Sequence, residues 1–274
     1  MSCAAGPAGG LIPTLPIAPI PRHPPRPMSP ESTLTMWALA CLAALGIGIS
    51  KSGLPGVSLL HVVLFAQLFP GLQSTGVVLP MLVAGDIGAV LLFRRHADWH
   101  HIRRTLAPAG LGVVAGWAVM NLQGQADFRP AIGAIVLALA VIQLIRHWRP
   151  QTLSELPHTR GFAWGIGLLS GGVTMVANAA GPVMALYLVA VALPKNVFVG
   201  TSAWFFLLIN LFKIPFSLQL GLINGHSLAL NLRLLPLVVA GLFLGRAVVS
   251  RLPQRTFDTF ILVFAWVAAL RLLL

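Results

Sequence analysis

LQSTGVVLPMLVAGDIGAVLLF, Leu72 to Phe93, runs for 22 residues with one charged side chain, Asp86. At about 1.5 Å per residue a helix of that length crosses the roughly 30 Å hydrocarbon core of a bilayer. The apolar residues run continuously, without the alternation of a barrel strand, so the stretch reads as a transmembrane helix. Similar runs rich in Leu, Ala, Val and Gly lie near residues 35–50, 54–69, 105–121, 130–145, 161–177, 181–193, 198–220, 229–249 and 257–274. The 274-residue chain is 57% hydrophobic and 9% charged, against about 25% charged in a soluble domain. The expected fold class is all-α, a polytopic helical membrane protein with the lipid bilayer as its surroundings. The stretches 54–69 and 181–193 fall short of the roughly 20 residues that span a membrane, and each follows a Gly/Pro break. They are expected to be half-spanning or broken helices.

A net charge of +12 would suggest nucleic acid in a soluble protein. Here the basic residues sit in short loops between apolar runs, so the charge reports topology and no nucleic-acid partner is expected. Placing the loop Arg94 to Arg104 in the cytoplasm puts 12 of the 18 Lys and Arg residues on that side, Lys51 among them. Five fall outside, Lys213 lies within a span, and both termini face outward. Nine of the 21 prolines fall in the first thirty residues, so residues 1–33 read as a disordered tail. Met28 or Met36 is then a candidate start, and 34–274 the transmembrane domain. Cys3 and Cys41 have neither zinc nor redox spacing, and no nucleotide-binding or metalloprotease motif occurs. No cofactor and no metal are expected, which leaves transport without a fuel domain.

The two parts of that domain, about 34–146 and 161–274, match each other at an offset of 124 to 129 residues. Pro70 falls on Pro194, Gly76 on Gly200, Asp86 on Asn210, Pro108 on Pro236, and Gly112/Gly116 on Gly241/Gly245. Five spans per half is odd, so the second half would enter the membrane upside down, as an inverted repeat.

Two segments interrupt the helical pattern: GIGISKSGLPG, Gly46 to Gly56, and GGVTMVANAAGPV, Gly171 to Val183. Glycine and proline free backbone groups that a membrane tolerates only against protein or a water-lined cavity. Helices starting after Gly53 and Ala180 would aim their positive dipole ends there and favour an anion. The alternative is that these glycines only permit close packing, the reading preferred for Gly112/Gly116 and Gly241/Gly245. Asp86, Asn178, Asn210 and Lys213 are polar at membrane depth and serve either as structural partners or as a substrate and proton site. In the structural case Asp86 pairs with Lys213 or Asn210; in the other it takes up a proton as the anion binds. Lys51, at the cytoplasmic mouth of the first break, either snorkels or attracts an anion. His61 reads as a satisfied buried histidine before a proton relay. His96, His100 and His101, with Asp98, superficially suggest a metal site but read as a solvated interfacial loop anchored by Trp99.

KSGLPG, the stretch LPMLVAGDIGAVLLFRRHADWHHIRRTLAPAGLGVVAG, and ANAAGPVMALYLVAVALPKNVFVGTSAWFFLLINLFKIPF together resemble the TauE/SafE-like sulfite exporter family of bacterial membrane permeases. The resemblance covers residues 35 to 274. It implies secondary transport of sulfite, thiosulfate or a related sulfonate or carboxylate across the inner membrane, coupled to protons. The family's features would fall on Lys51, Gly53, Pro55, Gly56, Pro80, Gly85, Asp86, Asn178, Gly181, Pro182, Tyr187, Thr201, Asn210 and Lys213. All but Pro80, Gly85 and Tyr187 are candidate site residues, with Asp86 as the proton-coupling group and a small anion as the partner. The competing functions are a membrane-embedded enzyme or assembly factor using Asp86 and Lys213, and a passive anion channel. No nucleophile or ligand set has the spacing an enzyme needs.

Overall fold

The computed structural model describes residues 30–54, 57–69, 72–93, 96–123, 128–148 and 159–249. Among these residues the chain is entirely helical, with α1 Pro30–Lys51, α2 Val57–Leu68, α3 Gln73–Phe93, α4 Trp99–Gln123, α5 Arg129–Trp148, α6 Arg160–Ala177, α7 Gly181–Ala190, α8 Lys195–Gln219 and α9 Gly225–Val249. Five of them, α1, α3, α4, α8 and α9, are long and apolar enough to cross a membrane. The two short helices expected from the Gly/Pro breaks are present: α2 has 12 residues and α7 has 10. At about 1.5 Å per residue neither reaches across a bilayer. The expected span 257–274, the Pro-rich segment up to residue 29, and Pro55 and Gly56 lie outside the described residues.

Two boundaries differ from the sequence reading. Helix α1 begins at Pro30, so residues 30–33 join the helix rather than the tail; proline is tolerated in a first turn because its missing N–H has no partner there anyway. Helix α4 begins at Trp99 instead of near 105, which turns most of the supposed loop into helix. The cause is Asp98, whose Oδ1 accepts from the His100 N–H at 2.9 Å and caps the first turn.

Contacts along the helices give their directions. On one side Leu45 meets Gly241, Ile49 and Ser52 meet Gly245, and Gly85 and Gly88 meet Val238 and Leu242. Residue numbers rise together in every pair, so α1, α3 and α9 run parallel. On the other side Thr105 meets Gly167, Ala109 meets Gly171, and Gly116 meets Met175. Asp98 bonds Thr201 and the Trp117 ring packs tilted against Phe216, so α4, α6 and α8 also run parallel. The groups join where α3 and α8 lie antiparallel, with Gly76 against Leu222 and Gly200 against Phe93.

Glycine makes these seams tight. A Cβ at Gly171 would overlap the Ala109 carbonyl, and one at Gly112 the Leu168 carbonyl; across the α1–α9 seam Gly48 and Gly241 stand against Val238 and Leu45 in the same way. Between apolar helices in lipid, such close backbone approach supplies the dispersion contact that holds them together. The packing role expected for Gly112/Gly116 and Gly241/Gly245 is what the helices use. Gly171, read as part of a break, belongs to the α4–α6 seam too.

Candidate functional site

Asp86 lies on α3 with no exposed surface, and its carboxylate is engaged from two sides. Lys51 Nζ stands 2.6 Å from Oδ1, and Asn210 Nδ2 on α8 donates to Oδ2 at 2.7 Å. Gly85 lets the lysine in: a Cβ there would come within 3.3 Å of Lys51 Cγ. The ammonium also sits 4.8 Å above the Phe206 ring. Lys51 is therefore not at a mouth and does not snorkel. Helix α1 stops beside Asp86, seven residues before the end of α3 and so about 10 Å short of it. From there an ion pair in a poorly polarisable interior is the nearer partner.

Lys213 is a second buried cation with different partners. Its Nζ donates to the Thr174 carbonyl at 2.6 Å, to Thr174 Oγ1 at 3.2 Å and to Asn178 Oδ1 at 2.5 Å. The pairing of Asp86 with Lys213 is thus replaced by one with Lys51, whereas the alternative partner, Asn210, is found. The α6 end explains why. Asn178 terminates the helix in the left-handed region at φ 54°, its N–H bonded to the Thr174 carbonyl. A helix C-terminus presents carbonyl oxygens and partial negative charge, and an ammonium satisfies both. Asn178 Nδ2 donates in turn to the Thr75 carbonyl at 2.9 Å, so one side chain ties the break to α3 and α8.

Between the two breaks lies a cavity of about 40 Å³, room for about three waters. Lys51, His61, Thr174, Asn178, Gly181, Phe206 and Asn210 are on its wall. Gly181 opens α7, whose N-cap Ala180 makes no side-chain cap, so the helix's positive end meets the cavity without a capping group. A smaller void of about 10 Å³ touches Asn178 from the other side, against Ser74 and Thr75. Asn178 thus stands between them.

The fold brings Lys51, Asn178, Gly181 and Asn210 to the cavity, with Asp86 and Lys213 one contact behind. Pro182 is buried in the first turn of α7. Gly53, at φ 107°, forms the turn after α1 against Val199, a conformation and a contact that both exclude a side chain. Thr201 is buried elsewhere: its Oγ1 accepts from the Asp98 N–H at 2.9 Å and braces the α3–α4 connection. Pro80 lies inside α3. The loop histidines divide: His96 and His100 are exposed, whereas His101 Nδ1 shares a hydrogen bond of 2.8 Å with the Tyr187 hydroxyl, and beside them Trp99 packs tilted against Trp204 at 5.2 Å. Among the described residues no three His, Cys, Asp or Glu side chains are grouped to hold a metal ion.

His61 is the largest departure. It is 1% exposed and lines the cavity, and neither ring nitrogen has a protein partner, so it is not the satisfied core histidine the sequence suggested. Sequence reasoning also missed Thr174 and Phe206. Thr174 lies within the quoted break, where a hydroxyl one turn before a helix end was the available signal; Phe206 had none.

No curated protein matches the chain significantly. The family model of the sulfite exporter TauE/SafE matches residues 40–272, from within α1 past the end of α9. With that match spanning most of the chain, this polytopic helical membrane protein belongs to the sulfite exporter TauE/SafE family of transporters.

Proposed function

We propose that this chain is a secondary transporter moving a small sulfur-containing or carboxylate anion, of the sulfite, thiosulfate or sulfonate type, across a bacterial inner membrane, coupled to a proton through Asp86. The observation that carries this is the cavity between the breaks, which brings a cation, two amides and a helix N-terminus together at membrane depth. Polar groups are costly there unless they are paired or line a pathway. Lys51 is on the cavity wall and Asp86 is directly behind it, so an anion beside Lys51 competes with the carboxylate for one ammonium. Protonating Asp86 ends the competition and ties proton uptake to anion binding. In this scheme Lys51, rather than Lys213, provides the full charge to the substrate, and Lys213 fixes the break.

An inverted repeat accounts for the helix arrangement in the same terms. Matching α1 with α6, α3 with α8 and α4 with α9 turns the α1–α9 contact into the α6–α4 contact and maps the α3–α8 contact onto itself. The contact from Gly76 to Leu222 has its counterpart in that from Gly200 to Phe93 and His96. Asp86 and Asn210, 124 residues apart, touch where such an axis would pass. Rocking one three-helix group against the other would then open the cavity to alternate sides.

The test is uptake of labelled sulfite and of several sulfonates into proteoliposomes, with and without a pH gradient. Saturable flux driven by the gradient is expected, and Asp86→Asn should keep insertion and anion binding but flatten the pH dependence of flux. Flux that never saturates would indicate a channel, and an Asp86→Asn profile that follows the parent's would remove the coupling role.

A further inference from the structure

Two groups at the cavity have hydrogen-bonding capacity that the protein does not use. His61 has both ring nitrogens without a partner at 1% exposure. Asn210 has its Nδ2 committed to Asp86, which leaves Oδ1, buried and without a partner, as a fixed acceptor. A buried polar group left unpaired costs on the order of 1–3 kcal/mol, and both residues line the same cavity, so what occupies that cavity is what satisfies them. Their chemistry constrains the occupant. An amide oxygen only accepts, so it repels the bare oxygen of a fully deprotonated anion and welcomes an O–H. A neutral imidazole offers one donor and one acceptor. The remaining hydrogens of Lys51 and the N–H groups opening α7 are donors for unprotonated oxygens.

Building on the anion-transport reading, we propose that His61 and Asn210 bind the substrate directly, and that the species held is a monoprotonated oxyanion, its O–H given to an acceptor on the wall and its bare oxygens to Lys51, His61 and the α7 N-terminus. Lys51 from α1 is the charged side chain on the wall that His61 shares; Asp86 from α3, paired with Lys51, and Lys213 from α8, bonded to Thr174 and Asn178, stand behind that wall, and α2, α6 and α7 bring no charge to it. A fully deprotonated dianion meets a single cation on the wall and an amide oxygen that cannot donate to it. A monoanion with a hydroxyl fits both.

The experiment compares hydrogensulfite with methanesulfinate, of equal charge and similar size but with a methyl group where the acid has its O–H. Binding to the purified full-length protein is measured at one mildly acidic pH by ligand-dependent thermal stabilisation. The parent should bind hydrogensulfite at least about tenfold more tightly. His61→Leu should weaken hydrogensulfite binding about tenfold, and His61→Gln, which keeps a donor and an acceptor, should recover much of it. Equal affinity of the parent for the two anions overturns the proposal and leaves the transporter reading standing, as does a folded His61→Leu protein with parental affinity. A parent that binds neither anion overturns both. Should His61→Leu fail to fold, the comparison of anions on the parent decides alone.

Discussion

Lys213 and Asp86 at membrane depth are legible in the sequence, with Lys51 read at the mouth of a break; that Lys51 is the lysine that meets the aspartate is not. The pairing depends on where α1 stops, and a stop formed by Lys51, Ser52 and a positive-φ Gly53 shows in sequence only as a vague Gly/Pro region. With α1 ending beside Asp86, Lys51 closes the pair at 2.6 Å and Lys213 turns to the carbonyls of α6. Removing one partner of a buried pair leaves an uncompensated charge at about 3–5 kcal/mol, whereas an apolar replacement of both is often neutral. Lys51→Met and Asp86→Leu should therefore each lower the thermal denaturation midpoint of the detergent-solubilised protein sharply. The double variant should be more stable than either single one while remaining inactive in transport. If the two losses simply add, the pair is not energetically coupled.

At the scale of elements, the sequence showed the helices better than it showed their work. Hydrophobic run length located α1 to α9 and set α2 and α7 apart as short, because length and Gly/Pro interruption are local properties. The role of each glycine is not local, since it depends on which helix lies opposite. Gly165 and Gly171 sit six residues apart on α6 and are indistinguishable by composition. Around Gly165 there is open space, while Gly171 faces the Ala109 carbonyl. Gly165→Leu should thus be tolerated, gaining helix propensity. Gly171→Leu must push α6 off α4, an overpacking cost of at least about 1–3 kcal/mol, and should reduce both the folded yield and the denaturation midpoint. Similar behaviour of the two variants would show that the α4–α6 seam yields more than its backbone contacts suggest. The candidate site follows the same division: the breaks were visible as motifs, but His61 gained meaning only when α2 was seen to line the cavity with it.

At the scale of the whole molecule, the charges at the helix ends set which way it faces. The two parallel groups turn the earlier charge count into a geometric one, because each described cation on their six helices can be assigned to a membrane face or to the interior. Lys51 and Lys213 leave the count, both held inside by buried partners. Of the remaining basic residues on the six helices whose directions are fixed above, Arg103, Arg104, Arg160, Lys195 and Arg246 belong to the ends shared by the α3 C-terminus and the α4 N-terminus, and Arg233 to the opposite end. Five against one is an asymmetry of the kind that sets orientation, since Lys and Arg near span ends are retained on the cytoplasmic side. His100 and His226 are both exposed and lie at opposite ends, beside the starts of α4 and α9. With Cys3 and Cys41 replaced by serine, His226→Cys should react with a membrane-impermeant thiol reagent in intact cells, and His100→Cys should react only after the cells are opened. The reverse pattern would invert the protein in the membrane, and with it the side from which Lys51 and the α7 N-terminus receive the anion.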